Sequence, residues 1–360
     1  MVSEGELRRS IRVAPGLLSQ VGTIAREVAP AHQYAVITDS NVGPRYAETV
    51  IAGLAGDSAD ELVIPAGESN KTRQTWARLT DQMLAKGYGR DSAVIALGGG
   101  VVGDLAGFVA ATFMRGIPVV QVPTSLMAMV DASIGGKTGV DTYLGKNLVG
   151  VFHFPAAVIV DPQVLATLPL RQVRAGIAEI VKHGVIADEA YFLEVASSVR
   201  ELLDYKGGPT SDRMLAVIVK SIEIKADIVS RDEREDGLRK TLNFGHTIGH
   251  AVELVSGYSL LHGEAVAIGM ALEGRLAESI GVAQTGTAEA ITKSLQAAGL
   301  PTDLPQPFER DAVLEAMRSD KKVRSGKTRF ALPLRIGAMA GADTGWTVSV
   351  SDDQLREVLA

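Results

Sequence analysis

No cysteine occurs in this 360-residue chain. Disulfides and thiolate metal sites are therefore excluded, and any metal must be held by imidazole and carboxylate, a donor set that suits zinc or a related cation such as cobalt. Apolar runs of membrane-spanning length are missing too, because Gly, Pro or charge interrupts each of the longer candidates. The opening residues MVSEGELRRSIRV lack an apolar stretch ending in a cleavage-like site, which argues against secretion and for a cytoplasmic protein. A basic excess is also lacking: 36 Lys and Arg against 42 Asp and Glu leave a net charge of -6, which disfavours nucleic acid as a bulk partner. An anionic small substrate would have to be met by local clusters of lysine and arginine. What the chain does have is length and apolar content. At 46% hydrophobic it can bury a large core and exceeds the usual size of one domain, so two domains are expected.

The first half alternates two periodicities. Apolar, β-branched runs recur at Tyr34 to Thr38, Leu62 to Ile64, Ala93 to Leu97, Val119 to Val122 and Val158 to Val160, with helix-period segments such as Thr75 to Lys86 and Val101 to Thr112 between them. That alternation predicts an α/β domain, a Rossmann-like parallel sheet with helices on its faces. Gly98, Gly100 and Gly103 satisfy G-x-G-x-x-G directly after a strand, where backbone can approach a pyrophosphate and a helix N-terminus can stabilise it. The strand Val119 to Val122 ends in Pro123-Thr124-Ser125 with no acidic residue for a ribose hydroxyl, so the standard order does not fit. Asp39 offers a carboxylate from another strand end, and a dinucleotide site on a variant topology is expected, with a ligand-free Gly-rich turn as the alternative. Gly67 to Thr72, carrying Glu68 and Lys71, could contact a phosphate or ribose, although an ordinary capped helix start would read the same. Asp131 to Gly139, followed by Gly145-Lys146-Asn147, packs Gly, Lys137, Lys146 and Asn147 into a turn-rich stretch able to surround a phosphoryl group.

From Arg171 the pattern turns helical: Val173 to Val185, Glu189 to Leu203, Asp212 to Arg231, Thr241 to Val255, Glu264 to Ile280 and Thr287 to Ala298. The change places a domain boundary between Pro162 and Leu170, giving residues 1–168 as nucleotide-binding and 169–360 as an all-α, metal-binding domain closed by a minor ribbon from Arg329 to Leu332 and Trp346 to Val350. The stretch Thr241 to Met270 holds three of the six histidines. His246 and His250 stand at i and i+4 on one helix face, and His262 follows a short break; such imidazoles can converge on a divalent metal, or never meet. Glu179 and Lys182 lie one turn apart in an otherwise apolar helix, where charge is costly unless paired or metal-bound. Glu179 is thus a further candidate ligand, and His183 could join it by spacing. Lys225, Arg239, Asn243 and the Asp320-Lys321-Lys322 run could line an anion site, although singly each reads as solvated surface.

Taken together, GGGVVGDLAGFVAATFMRGIPVVQVPTSL, DASIGGKTGVD with GKNLVGVFH, AEIVKHG, LNFGHTIGHAVE, LHGEAVAIGM and DKKVRSGKTRF resemble 3-dehydroquinate synthases, in order from about Asp39 to Phe330. The resemblance implies an NAD-binding α/β domain, an α-helical domain and an active site between them. It further implies a zinc-dependent cyclisation of 3-deoxy-D-arabino-heptulosonate 7-phosphate to 3-dehydroquinate and phosphate in the shikimate pathway, with transient oxidation by NAD, phosphate elimination, re-reduction and aldol closure. Carried over by position, the metal ligands are Glu179, His246 and His262. His250 then contacts the substrate phosphate together with Lys137, Asn147 and Lys322, with Lys321 as the alternative to Lys322, and Arg115 reaches in from the neighbouring subunit of a homodimer. Lys182, Lys225, Arg239 and Asn243 hold the substrate's carboxylate and hydroxyls, and Asp131 makes another hydroxyl contact. The NAD positions are Asp39, Glu68, Lys71, Gly99, Gly100, Asp104, Thr124, Ser125, Lys137 and Lys146. Ser125 replaces the usual Thr and keeps its hydroxyl; Asp141 stands where many relatives have Asn.

Two rival readings share these features. A metal-dependent polyol or glycerol phosphate dehydrogenase would need no cradle of Lys137, Asn147, His250 and Lys322 and would accumulate NADH. A related sugar phosphate cyclase would lack the carboxylate-binding pair Arg239 and Asn243. A non-catalytic nucleotide-binding module is disfavoured by three metal positions that all carry competent ligands.

Overall fold

The computed structural model describes residues 10–205, 212–305, 308, 310–319 and 328–359. Their contacts divide the chain into two compact units, with breaks at 168/169, 205/206 and 215/216.

The first unit is built on a six-stranded, wholly parallel sheet. In chain order it runs β1 (Ile11–Val13), α1 (Val21–Val28), β2 (Gln33–Asp39), α2 (Gly43–Gly53), β3 (Ser58–Ile64), α3 (Arg73–Ala85), β4 (Ser92–Gly98), α4 (Gly100–Thr112) and β5 (Val119–Pro123). A hairpin of β6 (Lys137–Thr142) and β7 (Gly145–Phe152) precedes the last sheet strand, β8 (Ala157–Val160). The strand order is β1-β8-β5-β4-β2-β3. Leaving aside β1 at the edge, this is the doubly wound order 2-1-3-4-5, whose direction reverses between β2 and β4. Alternate residues of each strand face opposite sides. Ala35 and Ile37 therefore join the core under α3 and α4, while Tyr34 and Val36 join the core under α1 and α2. Both faces are covered, which is why these strands read as unbroken apolar runs.

The second unit contains α5 (Leu170–Ala187), α6 (Glu189–Leu203), α7 (Asp212–Arg231), α8 (His246–Val255), α9 (His262–Ser279), α10 (Thr287–Ala297) and α11 (Arg310–Ser319). The chain closes with β9 (Thr328–Phe330), β10 (Pro333–Arg335), β11 (Ala338–Met339), β12 (Val348–Val350) and α12 (Asp352–Val358). β12 pairs antiparallel with β9, the ribbon expected at the end of the chain, and β10 with β11 forms a second ribbon that the alternation did not announce.

Two expectations are corrected. The helix expected from Thr241 begins only at His246, because Leu238–Asn243 forms a 3-10 turn and Gly245 sits at φ 78°, in the left-handed region that ends any α-helical run. The helix expected from Glu264 begins two residues earlier, with His262 as the first residue of α9. No helix among the described residues is long and apolar enough to cross a membrane.

Candidate metal and nucleotide sites

Helices α5, α8 and α9 can converge because glycines remove side chains from their contacts. A Cβ on Gly263 would lie 2.1 Å from the Ala175 carbonyl oxygen of α5, and one on Gly269 would lie 1.9 Å from the Gly245 carbonyl oxygen ahead of α8. Three side chains meet at this convergence. Glu179 of α5 is fully buried, and its Oε1 has no hydrogen-bond partner among the described residues. His246 Nε2 and His262 Nε2 each lie 3.7 Å from Glu179 Oε1.

The tautomers follow from the other ring nitrogens. His246 Nδ1 faces the Phe244 carbonyl oxygen at 3.1 Å, and His262 Nδ1 faces Glu253 Oε2 at 3.3 Å. Both partners accept only, so each Nδ1 carries a proton; the His246 ring, kept neutral by burial, then presents a lone pair at Nε2, and His262 does so in its neutral form. The Nε2 of each ring thus points at the same carboxylate oxygen from 3.7 Å, beyond hydrogen-bond distance. A divalent cation at the centre could take all three as ligands. Ligand atoms around tetrahedral zinc are separated by roughly 3.3–3.4 Å, so the donor set and its spacing fit a divalent metal. Burial first, then the Lys182 ammonium and the His262 and His250 imidazoles, hold the His246 pKa well below the ordinary histidine value, which keeps its ring neutral. The ammonium of Lys182, one turn from Glu179, forms an ion pair with Oε2.

His250 belongs to the same cluster. Nitrogens of His246, His250 and His262 lie within 4.8 Å of one another, and the His250 ring stands 5.3 Å from that of His246, as i and i+4 on α8 require. Arg239 and Asn243 sit on the 3-10 turn before α8. The Arg239 guanidinium, 1% exposed, donates to the Glu233 carbonyl at 2.7 Å, and the Asn243 amide donates to Glu235 Oε1 at 2.5 Å. Lys225 of α7 is buried, while His183 accepts or donates at Ser221 Oγ, 2.6 Å away, from inside the same helical core. Lys321 and Lys322 lie outside the described residues.

In the first unit the nucleotide candidates gather at the carboxyl ends of β2 and β4, the topological switch point where doubly wound sheets take ligands. Gly99 precedes α4 without a side-chain cap, leaving the first amides of that helix for an anion. A Cβ on Gly103 would lie 2.9 Å from Gln121 Oε1, so the third glycine serves helix-to-strand packing. Thr124 is buried and donates its amide to Gly98 O, and Ser125 Oγ lies 3.4 Å from the Cβ that Gly99 lacks. Asp39 Oδ1 accepts from the amides of Asn41 and Val42, which caps the turn into α2 and leaves the second oxygen for a ligand.

Lys71 is the hub of this side. It is buried, and its ammonium lies 2.7 Å from Glu68, 3.2 Å from Asp104 and 3.6 Å from Asp141, while Lys146 reaches Glu68 at 3.1 Å. Burial alone would raise the Glu68 pKa, but Lys71 and Lys146 outweigh it and bring it to about 2. Asp141 is dominated by burial, only partly offset by Lys71 and the Asn147 amide, and rises to about 6. Lys137 opens β6, and Asn147 adopts φ 54° on β7 with its amide donating to Asp141 Oδ1 at 2.8 Å. Asp131 lies on a π-helical turn, Ala128–Ala132, after β5. Arg115 is exposed and follows Met114 with both residues at positive φ, 69° and 50°, a strained pair of the kind found at functional positions.

Sequence reasoning passed over Glu253 and Glu273 and saw in Asp141 only a departure from its relatives. The signal was available for the two glutamates, since each is a charge on the apolar side of a helix, the same feature that singled out Glu179.

Comparison with known proteins adds an independent line. Residues 61–175 match the family model for the 3-dehydroquinate synthase N-terminal region and residues 176–323 that for the C-terminal region. The chain is 45% identical over 354 residues to a 3-dehydroquinate synthase of Synechococcus sp., covering 97% of this chain and 94% of that protein. Among solved structures, 2-deoxy-scyllo-inosose synthase complexed with carbaglucose-6-phosphate, NAD+ and Co2+ is 28% identical with a TM-score of 0.87, covering 97% of this chain and 95% of that one. The 2-epi-5-epi-valiolone synthase of Streptomyces hygroscopicus subsp. jinggangensis, solved with NAD+ and Zn2+ bound, is 30% identical with a TM-score of 0.84 at the same coverages.

Proposed function

The chain belongs to the 3-dehydroquinate synthase family and forms 3-dehydroquinate, and we propose that it does so as an NAD- and zinc-dependent phosphorus–oxygen lyase acting on 3-deoxy-D-arabino-heptulosonate 7-phosphate. The observation that carries the reading is the buried Glu179 oxygen faced at 3.7 Å by Nε2 of His246 and by Nε2 of His262. We assign Glu179, His246 and His262 to the metal, which when bound lowers the pKa of a substrate carbinol; the comparable change for water is from 15.7 to about 7. NAD, whose contacts we assign to Asp39, Glu68, Lys71, Gly99, Gly100, Asp104, Thr124, Ser125, Lys137 and Lys146, supplies a reversible hydride acceptor that is not consumed.

The chain's own side chains account for the remainder. Lys137, Asn147, His250 and Lys322 hold the phosphate, where ammonium and imidazole donors stabilise the charge that grows as the carbon–oxygen bond breaks. Their second task is to orient that phosphate so that its own oxygen takes the neighbouring carbon's proton. Lys182, Lys225, Arg239, Asn243 and Asp131 bind the carboxylate and hydroxyls, and the guanidinium fork of Arg239 suits a carboxylate in particular. We further assign Arg115 to the partner's site in a homodimer; its exposure and strained backbone support a role outside its own unit. Similarity to 2-deoxy-scyllo-inosose synthase favours, as a second reading, a cyclase of another sugar phosphate. Arg239, Asn243 and the higher identity to 3-dehydroquinate synthases speak against it.

The test is a single incubation of metal-loaded protein with NAD and the seven-carbon acid phosphate. Release of inorganic phosphate without stoichiometric NADH is expected, and steady NADH formation on a polyol in its place would overturn the proposal.

A further inference from the structure

Two glutamates in the metal-bearing helices take no part in the steps above, yet both are buried: Glu253 on α8 is 3% exposed and Glu273 on α9 is fully buried. A carboxylate withdrawn from water is costly unless its oxygens are used. Each of these is used on the opposite helix. Glu253 Oε2 accepts from His262 Nδ1, 3.3 Å away, at the first residue of α9. Glu273 Oε2 accepts from the Gly245 amide at 2.7 Å and its Oε1 from the Ile248 amide at 3.0 Å, the two amides that bracket His246 at the first residue of α8.

The consequences differ in kind. An imidazole that donates Nδ1–H to a carboxylate is fixed in ring orientation, and its Nε2 becomes more basic. Glu253 thereby aims the His262 lone pair at Glu179. Glu273 acts on backbone: its two oxygens satisfy amides that the start of α8 would otherwise leave unpaired, and its charge complements the positive end of that helix. The turn it holds has no slack, since Gly245 is at φ 78° and a Cβ on Gly269 would sit 1.9 Å from the Gly245 oxygen. His246 cannot shift along α8 without breaking one of the two Glu273 bonds.

We propose that Glu253 and Glu273 are a reciprocal pair of positioning residues, each carried on one helix of the α8–α9 pair and each fixing the metal ligand that opens the other. The proposal rests on the assignment of Glu179, His246 and His262 to the metal.

Cobalt(II)-loaded protein titrated against a chelator tests both levels at once, with the visible spectrum of the bound cobalt as a record of ligand geometry. Glu253→Leu, which removes the acceptor, is expected to lower cobalt affinity about 10-fold or more, with Glu253→Gln between it and the wild type because its amide oxygen still accepts from Nδ1. Glu273→Gln turns one oxygen into an amide NH2 facing a backbone N–H, donor against donor, and is expected to weaken cobalt about 10-fold and shift its spectrum. Metal-free Glu253→Leu should melt close to the wild type, since a buried carboxylate is removed and the His262 ring, 22% exposed, can turn its freed Nδ1–H to water. Cobalt affinities within twofold of wild type in all three variants, or affinity falling only in step with the melting temperature of the metal-free forms, would overturn the pair. His246→Ala separates the two levels. If it too binds cobalt as the wild type does, the metal assignment has failed; if it abolishes binding while the glutamate variants bind normally, only the positioning role has failed.

Discussion

Three carboxylates surround the Lys71 ammonium, and they respond to pH in opposite directions. Asp141, raised to about 6, holds its proton more tightly in the folded chain than in the unfolded one. Its contribution to stability is therefore complete below about 3.9, the unfolded value, and is lost as pH rises through about 6. Glu68, lowered to about 2, contributes in the reverse sense, fully above about 4.3 and lost only as pH falls toward 2. Between pH 5 and 7.5 Glu68 is thus constant and Asp141 is not. The stability difference between wild type and Asp141→Asn, read from urea midpoints, should move in favour of the variant by on the order of 1 kcal/mol over that interval, a figure reduced for the partial exposure of Asp141. A difference that does not change with pH would contradict a raised Asp141. His250 poses a separate question of role. Spacing allows it to be a metal ligand, whereas we assign it to the phosphate. His250→Ala should accordingly retain zinc by metal analysis and lose at least about 100-fold in turnover, whereas His262→Ala should lose the zinc itself.

At the scale of the element, the contact between α5 and the start of α9 is the one that brings Glu179 to His262. Gly263→Ala places a methyl group 2.1 Å from the Ala175 carbonyl, a backbone atom that cannot rotate away. Overpacking of this kind costs about 1–3 kcal/mol, and here the accommodation would move His262 away from Glu179. Thermal melting and zinc content should both fall, and a variant that melts lower while keeping full zinc would show that the ligands tolerate the shift. The same contact marks the limit of what the sequence discloses. Apolar periodicity announces β2 to β5 and most of the long helices, because each buries a stripe or a face and its residues say so. It does not say which helix lies against which. Sequence spacing favours pairing His246 with His250, and the approach that also brings the His262 ring to 5.2 Å from that of His246 is made by glycines, residues with no side chain to read. The resemblance to a family names Glu179 and His262, and the structure puts Glu179 Oε1 and His262 Nε2 3.7 Å apart. β6 and β7 were legible only as a turn-rich stretch, since Gly139 and Gly150 interrupt any alternation and most of β7 is exposed. The start of α8 was misread because Thr241 to Val255 is apolar enough to be helix throughout, and only the left-handed Gly245 divides it.

For the whole molecule, the two proposed ligands should stabilise different parts of the chain. All three proposed metal ligands lie beyond residue 168, in the second unit, and all the proposed NAD contacts lie in the first. A ligand that binds only the folded state adds about 2.7 kcal/mol at a concentration one hundred times its Kd, and that gain appears where local opening would destroy its site. Hydrogen exchange of the metal-free, nucleotide-free chain therefore gives a baseline from which each ligand can be added alone. Zinc should slow exchange in α5, α8 and α9, the helices that carry Glu179, His246 and His262, and leave the amides around Gly98 to Asp104 unchanged. NAD should do the reverse, protecting the Glu68 to Lys71 turn, the start of α4 and the Lys137 to Asn147 hairpin. If zinc protected the nucleotide side as strongly as the helices, the metal would be bound elsewhere or the units would open as one. Either outcome would require the division of labour between them to be redrawn.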